Sequence, residues 1–223
     1  MHLIANILKP DEIARLNEIF DASDGFVDGR TTAGRRASRV KRNEQLGAEA
    51  ADLTEAQSLI VTALNRNPTF RRLALPKHIA PPLISRYGAG MSYGLHVDDA
   101  MMGRGAMRSD ISITVFLCPP DRYEGGELVI HSGGSPATLV KGEAGAAVIY
   151  PANTLHRVAE VTGGERRVAV TWCQSLIRSG EQRAILADLA TVRDLLFSTA
   201  PDADETDAAA RSYSNLLRLW ADP

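Results

Sequence analysis

Between residues 10 and 20, apolar side chains recur at Ile13, Leu16, Ile19 and Phe20, the spacing of one helical face. Pro10 suits the first turn, where its missing N–H costs nothing, and Asp11 and Glu12 sit where the helix dipole favours acid. The stretch DGFVDGRTTAG ends that element. Leu53, Ala56, Leu59, Ile60, Ala63 and Leu64 repeat the period and predict a second helix over residues 44–65, closed by Asn67-Pro68. From about His78 the texture changes to short apolar runs parted by Gly, Pro and Asp: LISRYG, ISITVFLC, GELVIH, AAVIYP, HRVAEV and RRVAVTWC. Runs this short and dense, with no helix between them, predict an antiparallel sandwich or barrel, most naturally a jelly roll. After Gln174 helical spacing returns over residues 181–197 through Ile185, Leu189, Val192, Leu195 and Leu196. The acidic PDADETD stretch parts it from a last helix ending at Leu216, Leu217, Leu219 and Trp220.

The expected fold class is therefore α+β, a jelly-roll core with helical N- and C-terminal flanks. Residues 1–77 form the N-terminal helical supporting region, 78–176 the core and 177–223 the C-terminal extension. A chain of 223 residues suits one such domain. Hydrophobic residues at 44% and charged residues at 23% are ordinary for a globular protein.

A net charge of -2, from 25 basic and 27 acidic residues, gives no global reason to bind nucleic acid or a membrane surface. Locally, Arg30, Arg35, Arg36, Arg39, Lys41 and Arg42 make a basic run, read either as a solvated face or as a contact for an acidic partner. Together with the helical flanks, it is a candidate substrate cover or homo-oligomer surface. Cys118 and Cys173 lie far apart in apolar runs and read as buried free thiols. The N-terminal MHLIANILKPDE lacks the marks of a signal peptide, and no run approaches the ~18–20 apolar residues of a membrane span. The expected location is cytoplasmic.

Candidate chemistry begins at GLHVDDAM, where His96 and Asp98 are two residues apart and would share a face of a strand. A second histidine, His156, opens the β run after the turn signals Pro151 and Asn153 in YPANTLHRV. Two imidazoles and one carboxylate form the facial triad of non-haem Fe(II) oxygenases, which leaves coordination positions open. HxD alone is a weak signal. The hairpin HRVAEVTGGERRVAVTW adds weight, because period-two alternation puts Arg166, Val168, Val170 and Trp172 on one face and Arg167, Ala169 and Thr171 on the other. If the first face lines the interior, Arg166 is a buried cation in need of an anion. A protein carboxylate would serve. So would a diacid co-substrate whose far carboxylate pairs with the guanidinium while its 2-oxo acid end chelates iron. Arg167 takes that place if the register is off by one.

HVDDAM, RSDISITVFL, the DRYEGGELVI turn and YPANTLHRVAEVTGGERRVAVTW resemble the Fe(II)/2-oxoglutarate dioxygenases of the prolyl and lysyl hydroxylase-domain kind, in particular the bacterial PKHD-type hydroxylases linked to iron uptake. The similarity extends to VDGRTTAG and QSLIRSGEQRAILADL, and so covers most of the chain. The resemblance implies a double-stranded β-helix, Fe2+ held by His96, Asp98 and His156, 2-oxoglutarate at Arg166 and L-ascorbate as a rescuing reductant. It also implies Tyr87 as a hydrogen-bonding partner of 2-oxoglutarate. The implied reaction consumes O2, releases succinate and CO2, and hydroxylates a small-molecule or peptide/protein substrate. Asp98 in the triad favours hydroxylation over halogenation, since halogenases lack that carboxylate.

Tyr93 and Asp99 flank the metal motif as candidates to orient His96 or meet substrate. Arg108, Ser109 and Asp110 shape either the pocket mouth or a strand-entry turn. His2, His78 and His131 have no evident ligand role, and Gly125-Gly126 needs only a turn. Two rival functions remain at this stage. A zinc hydrolase would use the same three ligands but leaves Arg166 unexplained. A metal-binding jelly roll or iron-responsive binding protein without catalysis would keep the ligands and make no succinate.

Overall fold

The computed structural model describes every residue except Arg35, Arg104, Ser132, Ser135 and Pro223. Two antiparallel sheets face each other. The larger has eight strands in the order His2–Ile4, Ala147–Pro151, Ile111–Phe116, Arg166–Ser175, Leu83–Tyr87, Glu44–Leu46 and Phe26–Asp28, with Pro76–Ile79 paired alongside Arg166–Ser175. The smaller runs Thr138–Val140, Leu128–His131, Leu155–Val158, Ser92–His96 and Lys41–Arg42. This is the jelly-roll core that the strand texture announced, in an α+β chain.

Each face of the large sheet buries a different core. Ile113, Val115, Ala169 and Cys173 pack outward against Leu16, Ile19, Phe20, Ile60, Leu64 and Phe70 of the N-terminal helices. Phe116, Val148, Tyr150 and Val168 point inward, against Leu128, Ile130 and Val158 of the small sheet. A fully buried side chain such as Leu16 or Ile60 contributes roughly 1.5–3 kcal/mol, an upper figure because the unfolded chain is itself partly collapsed. Helix Pro10–Ala22 begins at its proline, and Glu12 accepts from the Lys9 N–H at 2.8 Å. Helices Gly180–Thr199 and Asp204–Trp220 lie against each other.

One predicted element is corrected. The second helix spans Leu53–Arg66, not residues 44–65, because Glu44–Leu46 is a strand held between Phe26–Asp28 and Leu83–Tyr87. Lys41, Asn43 and Gln45 are buried and alternate with the outward-facing Arg42 and Glu44, the period of a strand rather than a helix. Asn67-Pro68 does end that helix, and Pro68 also opens the short helix Pro68–Ala74. The first 77 residues thus supply strands to both sheets as well as helices. Between Lys41–Arg42 and Glu44–Leu46 the chain crosses from the small sheet to the large one.

Candidate metal centre

The strands Ser92–His96 and Leu155–Val158 are neighbours in a register that sets His96 opposite His156. Cross-strand partners share a face, so both imidazoles enter the space between the sheets, their ring centroids 4.3 Å apart. Asp98 lies two residues beyond the strand end and turns its carboxylate to the same point. Its Oδ1 is 3.8 Å from His96 Nε2 and 3.9 Å from His156 Nε2. One ligand atom from each of the three lies within 4.8 Å of the others, the sole such grouping of His, Cys, Asp and Glu among the described residues.

The surroundings fix which atoms face that point. His96 Nδ1 is 2.8 Å from the Gly94 carbonyl and His156 Nδ1 is 2.9 Å from the Thr154 carbonyl. A carbonyl only accepts, so each Nδ1 carries the proton and each Nε2 presents a lone pair. Asp98 Oδ2 accepts from Ser112 Oγ at 2.5 Å, a hydroxyl on the opposite sheet. The Tyr93 ring stacks on His96 at 3.7 Å. Burial, and then the neighbouring His156, pull the His96 imidazole down to about 4, so it stays neutral near pH 7, as a ligand must. Two imidazoles and a carboxylate converging from one side can hold a divalent metal with positions left open.

Arg166 lies in the same cavity, about 360 Å³ in volume. It is 1% exposed and the bulkiest fully buried side chain among the described residues, yet Nε and Nη1 have no hydrogen-bond partner. No described carboxylate lies within ion-pair distance of it; Tyr87, its cross-strand partner, has its ring centroid 5.1 Å from the guanidinium carbon. Burial raises the Tyr87 phenol to about 12, which keeps it a donor. Arg167 points the other way. It pairs with Asp21 at 2.6 Å and Glu165 at 2.7 Å and donates to Asn17 Oδ1. An isolated buried guanidinium is costly, and this one opens onto the cavity that holds the two histidines and Asp98.

Arg108 and Asp110 make a strand-entry clamp, with an ion pair at 2.7 Å and Asp110 accepting from the Ser175 N–H. Ser109 bonds the Asp99 carbonyl, and Asp99 lines the cavity beside Gly34. His2, His78 and His131 lie outside the cavity lining. Of the basic run, Arg35 lies outside the described residues, and Arg30 is paired with Asp28. The segment itself lines the cavity through Thr32, Ala33, Gly34, Ala37 and Lys41. Burial pulls the Lys41 ammonium down to about 8.

Ser112 and Gln45 are site residues that the sequence did not single out, and Lys41 was named only as one member of the basic run. Ser112 and Thr114 are polar at alternate positions of an otherwise apolar strand, and Lys41, Asn43 and Gln45 repeat that signal.

Sheets of this topology around a His-Asp-His cluster define a 2OG-Fe(II) oxygenase, and the profile of the 2OG-Fe(II) oxygenase superfamily matches residues 82–174. The chain belongs to the PKHD-type hydroxylases. It is 46% identical over 219 residues to a PKHD-type hydroxylase of Acaryochloris marina and 42% identical over 223 residues to one of Burkholderia ambifaria, each match covering 98% of both chains. Among solved structures, a Pseudomonas putida prolyl-4-hydroxylase has a TM-score of 0.53 at 20% identity, covering 78% of this chain and 91% of that one. A Trichoplax adhaerens prolyl hydroxylase has a TM-score of 0.56 at 14% identity, covering 82% and 86%. Both share the fold. The protein is accordingly a dioxygenase of the hydroxylase type, with Fe(II) and 2-oxoglutarate as its cofactor and co-substrate. Among the described residues no helix is long and apolar enough to cross a membrane.

Proposed function

We propose that His96, Asp98 and His156 hold Fe(II), that the distal carboxylate of 2-oxoglutarate pairs with Arg166 beside Tyr87, and that a C–H bond of the primary substrate is hydroxylated with release of succinate and CO2. The observation that carries this reading is the orphaned Arg166. A buried guanidinium with two unpartnered nitrogens fits a diacid co-substrate and leaves the zinc hydrolase with no use for it. The donor set, two Nε2 lone pairs and one Asp98 oxygen, fits Fe(II) with open positions.

Fe(II) with 2-oxoglutarate supplies the oxidising equivalents from O2. The protein binds, orients and shields. Gly94 and Thr154 carbonyls hold both imidazoles by their Nδ1 protons, Ser112 turns the Asp98 carboxylate, and Arg166 draws the co-substrate to the back of the cavity. Apolar walls from Leu128, Val158 and Val170 exclude water from the reacting centre. Ascorbate restores iron that oxidises without substrate, and the enzyme works in the cytoplasm. The substrate is a small molecule or a peptide or protein side chain; the Trichoplax adhaerens structure, a complex with a peptide fragment of hypoxia inducible factor, supports the peptide class.

The test is purified protein with Fe(II), O2 and 2-oxoglutarate. Slow succinate formation in the absence of substrate, abolished by Asp98→Ala, is the expected result. No succinate with ascorbate present overturns the oxygenase reading, and iron lost in His96→Ala and His156→Ala would then favour a non-catalytic metal-binding protein; unchanged iron content in those variants overturns the ligand assignment itself.

A further inference from the structure

Among the described residues lining the cavity, two are cations, Arg166 and Lys41. Lys41 is 4% exposed, and its Nζ donates to Thr32 Oγ1 at 3.1 Å and lies 5.2 Å from the centroid of the Tyr93 ring, the ring stacked on His96. Thr32 Oγ1 in turn bonds Gln45 Oε1 at 2.5 Å, and Gln45 Nε2 donates to Ser85 Oγ at 3.2 Å. This polar chain, buried at Lys41, Gln45 and Ser85 and reaching the surface at Thr32, spans the crossing from the small sheet to the large one and holds Lys41 in place beside the metal point.

Lys41 has no counter-charge. No described carboxylate lies within 4.0 Å of its Nζ, and the two whose fields reach it are committed elsewhere. Asp28 is paired with Arg30, and Asp98 is turned by Ser112 toward the metal point. On the reading above, Asp98 and one carboxylate of 2-oxoglutarate offset the two charges of Fe(II), and the other carboxylate offsets Arg166. One buried positive charge then remains in the cavity, on Lys41, the other carboxylate of the lining, Asp99, being exposed to solvent beside Gly34. A buried lone charge is costly unless an anion meets it. Trp172 Nε1, a buried donor on the same cavity wall, also has no acceptor. Outside, Arg36, Arg39 and Arg42 are exposed on the segment carrying Lys41, with no described carboxylate at ion-pair distance. Exposed positive charge on that segment attracts anions to this part of the surface.

We propose that the primary substrate carries a carboxylate and that Lys41 binds it, so that the cavity holds the co-substrate at Arg166 and an anionic substrate at Lys41, on the Tyr93 side of the metal. The lysine is a substrate-specificity residue, and the segment that carries it lines the pocket through Thr32, Ala33, Gly34 and Ala37. This rests on the proposed function and names the substrate class for that site.

The experiment uses the anaerobic Fe(II) enzyme saturated with 2-oxoglutarate and follows fluorescence from the cavity-lining Trp172. The probes are short straight-chain monocarboxylic acids, their primary amides, and an N-acetylated peptide with its C-terminus free or amidated. The expected result is acid binding about 30-fold or more tighter than amide binding, the effect of losing one partner of a buried charge pair. That preference vanishes in Lys41→Met and returns in Lys41→Arg. Acid preference among the free acids supports a small-molecule carboxylate, and among the peptides a peptide carboxylate. The proposal is overturned by equal binding of acids and amides, by no binding of either, or by a preference that survives Lys41→Met. It is also overturned if Lys41→Met weakens 2-oxoglutarate as Arg166→Ala does, since Lys41 would then serve the co-substrate. Wild-type protein that binds no 2-oxoglutarate in the presence of Fe(II) indicts the proposed function instead, and the acid and amide comparison on the wild type holds even if a variant fails to fold.

Discussion

His96 and His156 face each other across two adjacent antiparallel strands, so a single register aligns both imidazoles. A one-residue slip would turn one of them out of the cavity. Asp98 is outside that ladder and is held instead by Ser112, from the other sheet, at 2.5 Å. The metal point therefore depends on the two sheets staying in place relative to each other. Ser112→Ala is expected to lower Fe(II) affinity about 10- to 100-fold, the usual cost of losing a partner that orients a ligand, with the fold intact. Competition against a chelator measures it; wild-type affinity in the variant would show that the hydroxyl does not orient the carboxylate.

Arg166 and Arg167 are adjacent in sequence and opposite in environment. Arg166→Ala is expected to raise the 2-oxoglutarate dissociation constant at least about 30-fold while iron stays bound, because it leaves a carboxylate facing a buried wall. Arg167→Ala removes partly exposed pairs to Asp21 and Glu165 and should cost about 1 kcal/mol of stability or less, with 2-oxoglutarate affinity near wild type. Isothermal titration of both variants separates them, and the reverse pattern would exchange the two roles.

These two arginines show what was legible in the chain. Alternation over residues 166–172 assigned the faces correctly, because a strand with one buried face keeps its apolar residues in phase. Lys41, Asn43 and Gln45 alternate just as strictly, but all three are polar, so the period is hidden inside a charge run, and the helix predicted from residue 44 covers its last member, Gln45. A polar wall facing a cavity looks like a solvated face to any reading based on hydrophobicity. Ser112 escaped for a related reason, as one of two hydroxyls, with Thr114, in the otherwise apolar strand ISITVF. What it touches is set by the approach of the opposite sheet, which no local pattern encodes.

The His96 imidazole ties stability of the metal-free protein to pH. Its folded value is lowered by burial and by His156 to about 4, while in the unfolded chain it returns to about 6.5. Between those values unfolding takes up a proton that the folded protein refuses, so stability falls as pH drops from about 6.5 toward 4. Melting of the metal-free protein across that window should show a declining midpoint, and His96→Gln should flatten the slope. A slope unchanged in His96→Gln would mean that another group carries the effect.

Gly126 was legible only as a turn residue, and its φ of +68° accounts for part of the choice. The rest is contact. A Cβ there would lie 3.1 Å from Arg166 Cδ, 3.0 Å from Tyr123 Cε2 and 2.9 Å from Val161 Cγ2, so the glycine makes room for the arginine stem. Gly126→Ala should cost about 1–2 kcal/mol for the left-handed backbone and about 1–3 kcal/mol for overpacking. It should also weaken 2-oxoglutarate binding by displacing the guanidinium, without changing iron affinity. Gly145→Ala is the control. Gly145 also has positive φ, +85°, but its Cβ would meet Ile13 and the Leu8 carbonyl, away from the cavity. Both variants should melt earlier, and only Gly126→Ala should lose co-substrate affinity. If the two lose it equally, the effect belongs to general destabilisation and Gly126 has no part in setting Arg166.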